Sequence, residues 1–494
     1  MNMRFYTLNK IKWVALALLF GVFICPLHAD VKLAGVFGDH MVLQQGVKLA
    51  VWGTAAPGEK ISVNVAGQTI STQAGSDGRW HVMLDPLKMS TSPVEFTVTG
   101  NNKVILRDVL AGDVWLCSGQ SNMEYSLGGT LSAPEELPKA NHPDIRLCGL
   151  STKAERQPLD SRPCQWTACT SETAKHFSAV GYFFGRDLHE AIHCPVGLIC
   201  SAVSGSQIQS WISLDKLKSD PALAHCLRTY DHMMAKPGAT GIPTEFFNGM
   251  IHPLIPFGIK GVVWYQGESN TGEPESYRDL FTALITDWRS HWDQTSLPFL
   301  FVQLPGFHSF ESEPSPSKWA VLRAAQAVAL DLPNTGMAVT LDLSAQRNIL
   351  HPRNKREVGR RLALIARHMV YGQNVECDGP VFKSAKFDGS RVHITFSNVD
   401  SGLIAGAANP NDPNQPVAKP GLPVKGFSIA GDDRKFVWAD AVIDGDSVVV
   451  SSDKVKSPAA VRYGWDENPE VNLYNREGLP AAPFRTDDWP IQFH

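Results

Sequence analysis

The stretch "DVWLCSGQSNM", residues 113–123, joins an apolar run to a polar turn. Its first half, Asp113–Cys117, is the kind of short continuous apolar strand that is buried on both faces of a parallel sheet. Its second half places three side chains that can act as nucleophiles, those of Cys117, Ser118 and Ser121, where that strand ends. The stretch therefore poses one question, which is whether this turn carries out chemistry.

Four similar apolar runs follow along the chain. They are "VGLICSAV" (196–203), "GVVWYQG" (261–267), "PFLFVQL" (298–304) and "GMAVTLDL" (336–343). Amphipathic helical patterns lie between them, and the clearest spans Tyr277–Trp292 with apolar residues at helical spacing. This alternation of strand and helix predicts a three-layer α/β domain over residues 108–375.

Both flanks of that domain have the pattern of β-strands. In residues 30–107, Ile61, Val63 and Val65 alternate with polar residues, which is the period of a half-buried strand. We expect an N-terminal β-sandwich domain there. Residues 376–494 return to short strand patterns and predict a C-terminal β-rich region.

The first 29 residues have a different character. Arg4, Lys10 and Lys12 precede the apolar run Trp13–Ile24, which is short for a membrane span of about 20 residues. This pattern predicts a secretory signal peptide over residues 1–29, with an uncleaved anchor helix as the alternative. We therefore expect a secreted or periplasmic protein without further membrane segments. The absence of Asn-x-Ser/Thr sequons favours a bacterial source.

The charge balance gives no reason to bind nucleic acid. Removing residues 1–29 leaves 42 Lys and Arg against 49 Asp and Glu, and no basic block occurs. That part of the chain keeps eight cysteines, and disulfides are permitted in an oxidising compartment. Their pairing stays open at this level, although Cys164 and Cys169 have a spacing that could close a small loop.

Polar clusters follow four of the apolar runs, and ligands bind at the carboxyl ends of strands in open α/β sheets. These clusters supply what acyl transfer needs. Ser121 offers a hydroxyl nucleophile, and His351 offers a base whose usual pKa suits neutral pH. Gly205 offers a backbone N–H for an oxyanion, and Gln266 or Asn270 offers a side-chain amide donor.

Each of these residues also has a plain structural interpretation. Ser121 alone is more often a turn serine, and Gly205 alone is more often part of a tight turn. Gln266 and Glu268 could be solvated loop groups or a hydrogen-bonded pair. His351 precedes Pro352 and could simply begin a helix.

Other chemistries have less support from the sequence. No HExxH, P-loop, EF-hand or dinucleotide-binding motif occurs, and the sixteen histidines lack ligand spacing. We therefore expect neither a metal nor another cofactor. A phosphoesterase is disfavoured for the same reason.

Taken together, the motifs are similar to those of a known family. "DVWLCSGQSNMEYS", "NGMIHPLIPFGIKGVVWYQGESNTG" and "HPRNKREVGRRLAL" resemble the sialate O-acetylesterase family of SGNH-type hydrolases. The flanking segments 36–63 and 461–489 resemble its N-terminal β domain and its C-terminal signature. The resemblance implies a flavodoxin-like catalytic domain that removes O-acetyl groups from sugars without a metal.

The resemblance also implies roles for individual residues. Ser121 matches the nucleophile, Gly205 an oxyanion donor, Gln266 the side-chain donor and His351 the base. One position departs from the pattern, because SGNH enzymes carry aspartate three residues before the histidine and this chain has Asn348. An amide cannot stabilise the imidazolium as a carboxylate does.

Three residues are therefore candidates to orient His351. Asn348 can do so as a neutral group, or Glu268 or Asp342 can supply a carboxylate. An impaired enzyme is the remaining alternative.

The leading hypothesis is a carbohydrate O-acetylesterase that acts on 9-O-acetyl sialate or on acetylated hemicellulose. The alternative is a non-catalytic carbohydrate-binding protein with an impaired esterase core, which only Asn348 favours. In both cases the predicted partner is a carbohydrate.

Overall fold

The computed structural model describes residues 30–344, 348–407, 417–418, 422–491 and 493. The predicted signal peptide, residues 1–29, lies outside these ranges. Within them, no helix has both the length and the apolar character needed to cross a membrane.

Short antiparallel strands form the N-terminal part. Their bounds are β1 Lys32–Leu33, β2 Val42–Gln44, β3 Leu49–Thr54, β4 Lys60–Val65, β5 Gln68–Gln73, β6 Arg79–Leu84 and β7 Ser90–Thr99. Strand β3 lies between β1 and β6, and β4 lies between β5 and β7. Ile61, Val63 and Val65 of β4 are buried while their neighbours are more exposed, as their alternation predicts.

One long strand, β8 (Lys103–Gly119), connects these N-terminal strands to the rest of the molecule. Its first part pairs antiparallel with β7, and its second part runs parallel to β2. Asp108, with φ of 56°, lies two residues before the first residue that pairs with β2, and its carboxylate accepts hydrogen bonds from Arg146 at 2.6 and 3.0 Å. The boundary expected at residues 107–108 thus lies inside a continuous strand.

Helices and strands alternate after β8. Their bounds are α1 Ser121–Glu124, α2 Ala133–Glu136, β9 His142–Gly149, β10 Trp166–Cys169, α3 Ser171–Lys175, α4 Ala179–Ile192, β11 Val196–Ala202, α5 Leu214–Ser219, α6 Ala224–Met234, β12 Gly261–Tyr265, α7 Tyr277–His291, β13 Phe299–Val302, α8 Lys318–Ala327, β14 Thr335–Ala338 and α9 Lys355–Met369. Every apolar run quoted from the sequence overlaps one strand of this series or part of β8.

These strands form a central sheet in the order β10-β9-β11-β8-β12-β13-β14. All neighbouring strands are parallel except β10, which is antiparallel to β9. Strands β11, β12 and β13 are buried along their whole length. Helix α7 buries the apolar face predicted for it, including Leu280, Leu284 and Trp288. The prediction of parallel strands is therefore confirmed, and that of burial holds for β11, β12 and β13, whereas β14 is only partly buried.

The remaining strands form smaller antiparallel sheets. Their bounds are β15 Val381–Asp388, β16 Arg391–Ser397, β17 Leu403–Ala407, β18 Val417–Ala418, β19 Phe427–Ala430, β20 Val437–Trp438, β21 Asp440–Asp444, β22 Ser447–Ser451, β23 Ala460–Tyr463, β24 Leu473–Asn475 and β25 Phe484–Arg485. They bury their own apolar cluster. Arg323 of α8 is fully buried and donates to the carbonyls of Gly464 and Asp466, which joins this region to the central domain.

Among the described residues, a disulfide joins Cys148 to Cys164. The loop suggested between Cys164 and Cys169 is therefore not formed, and Cys169 is a buried free thiol at the end of β10. Cys148 of β9 lies opposite Trp166, the first residue of the antiparallel strand β10. Cys164, two residues before Trp166, is therefore close to Cys148.

Candidate active site

The predicted polar clusters lie at one edge of the central sheet. Gly119, near the end of β8, is level with Ala202 of β11 and with Tyr265 of β12. The turns that carry Ser121, Gly205 and the segment after Tyr265 therefore leave the sheet side by side.

A glycine makes the turn after β8 possible. Gly119 has φ of 135°, and a Cβ atom there would lie 2.1 Å from the carbonyl oxygen of Tyr265. The next residue, Gln120, donates its N–H to that same carbonyl at 3.0 Å. Close contact between the two strand ends thus turns the chain into α1, whose first residue is Ser121.

Of the three nucleophiles in the opening stretch, two are packing groups. Cys117 is fully buried, and burial raises the pKa of its thiol well above the usual value. Ser118 is also fully buried and donates its hydroxyl to the carbonyl of Ser201 at 2.6 Å. Ser121 alone of the three is partly exposed.

Ser121 contacts the predicted base. Its Oγ lies 2.8 Å from Nε2 of His351, a residue 230 positions further along the chain. Burial and, to a smaller extent, the charge of Lys355 lower the pKa of His351. The imidazole is therefore neutral at neutral pH and can accept the serine proton.

Gly205 lies in a turn beside this pair. The turn is closed by the N–H of Ser206, which donates to the carbonyl of Val203 at 3.2 Å. Gly205 is exposed with φ of 75°, and no described residue accepts its N–H. Ser204 donates its N–H and its hydroxyl to Glu124 of α1 at 2.9 and 2.6 Å. The Gly205 turn is thus attached to the helix that carries Ser121.

Gln266 has a different role from the donor role suggested for it. Its side chain is fully buried, and its Nε2 donates to the carbonyl of Ser206 at 3.1 Å and to Oδ1 of Asn270 at 2.8 Å. Its Oε1 accepts from the hydroxyl of Tyr277 at 2.8 Å. Both amide hydrogens are therefore used inside the protein, and Gln266 braces the Gly205 turn.

Asn270 is part of the same brace. Its Oδ1 accepts from the N–H of Ile208 at 3.0 Å as well as from Gln266, and its Nδ2 donates to Gln209 at 3.1 Å. Asn270 is buried, so these bonds link the turn after β12 to the segment after β11.

Gln120 is a site residue that the sequence analysis missed. Its Oε1 accepts from the N–H groups of Gly267 and Ser269, both at 3.3 Å. These two bonds fix which end of the amide is oxygen, and they leave Nε2 without an acceptor among the described residues. Its position next to Ser121 in the sequence was the signal that could have found it.

Glu268, a proposed partner of His351, contacts Asn122 instead. Its Oε1 accepts from Nδ2 of Asn122 at 2.5 Å, and the same Nδ2 donates to the carbonyl of Leu350 at 3.0 Å. Leu350 directly precedes His351. Glu268 therefore acts on the histidine through Asn122 and the backbone.

Lys355 completes this buried network. Its ammonium, fully buried at the start of α9, donates to Oδ1 of Asn122 and lies 5.3 and 5.2 Å from the ring centres of Tyr125 and Tyr265. Burial lowers the pKa of Lys355 to about 7, and the nearby carboxylate of Glu268 opposes that shift. Burial raises the pKa of Glu268.

Asn122 and Lys355 are not among the residues that the sequence marked as candidate site residues. Asn122 follows Ser121, and Lys355 lies four residues after His351, so proximity to the two reactive residues was the available signal.

The other two candidates to orient His351 form no hydrogen bond with its ring in the part of the chain that the structure describes. Both oxygens of Asp342 accept from Arg361 at 2.7 Å, in an ion pair whose two side chains are buried. Asn348 is exposed, with φ of 58°, and its backbone N–H donates to the carbonyl of His308 at 3.2 Å. Among the described residues, none forms a hydrogen bond with Nδ1 of His351.

The side chains present do not assemble a metal site in the part of the chain that the structure describes. No group of three or more His, Cys, Asp or Glu residues is placed there to hold an ion.

Comparison with known proteins places this site in a family. Residues 111–367 match the family described as carbohydrate esterase, sialic acid-specific acetylesterase. The chain belongs to this family. The matched range contains Ser121, Gly205, Glu268 and His351, and the resemblance stated from the motifs is confirmed.

Relatives of this esterase family align with nearly the whole chain. The sialate O-acetylesterase of Homo sapiens is 34% identical over 92% of both chains, and that of Pongo abelii is 31% identical over the same shares. A crystal structure of a carbohydrate acetylesterase from Xanthomonas citri has 38% identity and a TM-score of 0.82, and the match covers 93% of this chain and 100% of that one.

Proposed function

We propose that this chain removes O-acetyl groups from carbohydrates through an acetyl-enzyme formed on Ser121. The observation that carries the proposal is the 2.8 Å contact between Ser121 Oγ and His351 Nε2. The carbohydrate enters through the family, whose named relatives are sialate O-acetylesterases and a carbohydrate acetylesterase.

In the first half of the reaction, Ser121 Oγ attacks the carbonyl carbon of the acetyl group. His351 Nε2 takes the hydroxyl proton as the new C–O bond forms, and the carbonyl oxygen becomes an oxyanion. The C–O bond to the sugar then breaks, and His351 returns its proton to the departing sugar oxygen. The products are a free sugar hydroxyl and an acetyl ester on Ser121.

In the second half, water replaces the sugar. His351 removes a proton from water, which attacks the acetyl carbon. The bond to Ser121 Oγ breaks, and the serine recovers its proton from His351. Acetic acid leaves and ionises in solution, and the enzyme returns to its starting state.

Three donors surround the expected position of the oxyanion. They are the backbone N–H of Ser121, the backbone N–H of Gly205 and the side-chain Nε2 of Gln120. Gln120 takes the role first suggested for Gln266, because its amide nitrogen has no acceptor among the described residues. One such donor typically contributes about 3–4 kcal/mol to the transition state.

We propose that Asn122 does part of the work expected of a carboxylate beside His351. It holds the carbonyl of Leu350 while Glu268 and Lys355 hold Asn122. The network positions the backbone of His351, and the low pKa of His351 supplies the neutral imidazole.

The finer description of the fold is part of the proposal. We assign residues 108–375 to a flavodoxin-like, three-layer SGNH domain, supported by the parallel central sheet. A β-sandwich domain over residues 30–107 and a β-rich region over 376–494 flank it. We also propose that residues 1–29 are a signal peptide and that the protein is secreted or periplasmic in a bacterium.

The direct test is acetate release from acetylated sugars. Ser121→Ala should abolish release, while Ser290→Ala, an exposed serine on α7, should leave it unchanged. A panel of 9-O-acetyl sialosides and acetylated hemicelluloses would identify the substrate. Full activity of Ser121→Ala would refute the nucleophile, and glycan binding without acetate release would support the non-catalytic alternative.

A further inference from the structure

A second cleft lies between the central domain and the C-terminal strands. Its volume is about 830 Å³, within the range of small-molecule sites. One wall is the segment 310–312, which follows β13, and the other walls come from residues 423–427, 438–442 and 466–470. None of the residues in the acyl-transfer site lines it.

The walls combine aromatic and polar side chains. Phe310 and Trp438 both line the cleft, and both are half-buried. The indole N–H of Trp438 donates to the carbonyl of Glu311 at 3.3 Å, and this bond joins the wall that contains Trp438 to the segment 310–312. An aromatic face held in place by its polar end suits the C–H face of a ring-shaped ligand.

The charge of the cleft distinguishes among sugars. Four acidic side chains line it, namely Glu311, Asp440, Asp466 and Glu470, against the single cation Lys425. That cation is already paired with Glu470 at 2.7 Å. An excess of carboxylates repels an anionic sugar and accepts hydrogen bonds from neutral hydroxyl groups.

The cleft is also connected to the loop of the catalytic histidine. The carbonyl of His308 accepts from Nδ2 of Asn468 at 2.9 Å and from the N–H of Asn348 at 3.2 Å. Asn348 lies three residues before His351. Asn468, a residue of the cleft wall, is therefore linked through the carbonyl of His308 to the loop that precedes His351.

We propose that this cleft is a second carbohydrate site, which binds a neutral, hydroxyl-rich oligosaccharide and discriminates against sialylated ones. The choice of sugar as the ligand rests on the proposed function. The neutral class rests on the carboxylates of the cleft, and the subsite itself rests on the volume of the cleft and on the ring of Trp438 in its wall.

Calorimetric titration of the full chain tests this proposal with two probes, xylotetraose and sialyllactose. We expect xylotetraose to bind at least tenfold more tightly than sialyllactose, and Trp438→Ala to weaken xylotetraose binding at least tenfold. The double variant Glu311→Gln, Asp440→Asn should also weaken it, because it removes two charged acceptors. Phe387→Ala, which removes an exposed aromatic ring of β15 outside the cleft, is the matched control and should bind normally.

Thermal melting checks that each variant is folded, and the double variant keeps the test valid if Trp438→Ala is not. The proposal fails if neither probe binds, if sialyllactose binds as tightly as xylotetraose, or if the folded cleft variants bind as the parent does. Acetate release is measured separately. An enzyme that deacetylates sugars but binds neither probe in the cleft would lose only this inference, whereas binding without acetate release would remove the proposed function.

Discussion

The imidazole of His351 lies near a buried ammonium, that of Lys355, and not against a carboxylate. The cation opposes protonation of His351, and the carboxylate of Glu268 offsets part of the burial cost of the cation. Asn122 lies between the two charges and also binds the backbone carbonyl of Leu350. Lys355 and Glu268 thus act on His351 in two ways: the charge of Lys355 lowers its pKa, and both residues hold Asn122, which binds the backbone next to it.

Replacing Lys355 with methionine tests the electrostatic part. In the proposed mechanism neutral His351 is the reactive form, so kcat/KM should fall as the pH drops through its pKa. Without the cation, that pKa rises, and the acid limb of the profile should move to higher pH. The free energy of unfolding should also fall by about 3 kcal/mol, because the buried partner Glu268 is left alone.

Arg353→Met is the matched control, since Arg353 is an exposed cation two residues from His351. Solvent screens its charge, so the acid limb should stay in place. An unchanged acid limb in Lys355→Met would show that the ammonium does not affect the base.

We propose that Gln120 takes the oxyanion-donor role that the sequence suggested for Gln266, and a pair of isosteric variants tests this. Gln120→Glu keeps the oxygen that accepts from Gly267 and Ser269 but removes the donor, so kcat should fall at least about 10²-fold with little change in melting temperature. Gln266→Glu loses two internal hydrogen bonds and should mainly lower the melting temperature. The reverse pattern would restore Gln266 as the oxyanion donor.

At the scale of elements, the decisive connection is the one between β8 and α1. Strands β11, β8 and β12 end level with one another, so a turn that leaves β8 sharply delivers Ser121 to the edge shared by all three. Gly119 permits that turn because only hydrogen fits against the carbonyl of Tyr265.

Gly119→Ala should therefore reduce stability strongly. A Cβ atom would lie 2.1 Å from a backbone oxygen, and the φ of 135° is strained for alanine, so we expect a loss of about 3 kcal/mol in urea unfolding. Gly272→Ala is the control, since nothing lies within 4 Å of a Cβ there. Equal stability of the two variants would contradict the close approach of the strand ends.

The elements themselves were largely predictable. Continuous apolar runs specified the parallel strands, and helical spacing specified the buried face of α7. The disulfide was not predictable, because Cys148 and Cys164 are 16 residues apart and only the pairing of β9 with β10 brings them together. The continuity of β8 through Asp108 was also hidden, since local patterns do not show that one strand serves two sheets.

At the scale of the whole molecule, four distant segments meet at one sheet edge. The sequence predicted the meeting of Ser121, Gly205 and His351 because the carboxyl ends of parallel strands converge. It did not predict which buried polar groups pair near His351. Asn122 and Lys355 are joined across 233 residues, and Asp342 is held by Arg361. Pairing among buried polar groups depends on packing, which periodicity does not encode.

The most direct test of the central claim is to locate the acetyl group during turnover. The enzyme is mixed with an acetylated sugar, quenched in acid within one turnover, digested and analysed by mass spectrometry. We predict an acetyl group on the peptide that contains Ser121, and its absence in Ser121→Ala under the same conditions. An acetyl group on another residue, or sugar deacetylation that proceeds in Ser121→Ala, would contradict the account.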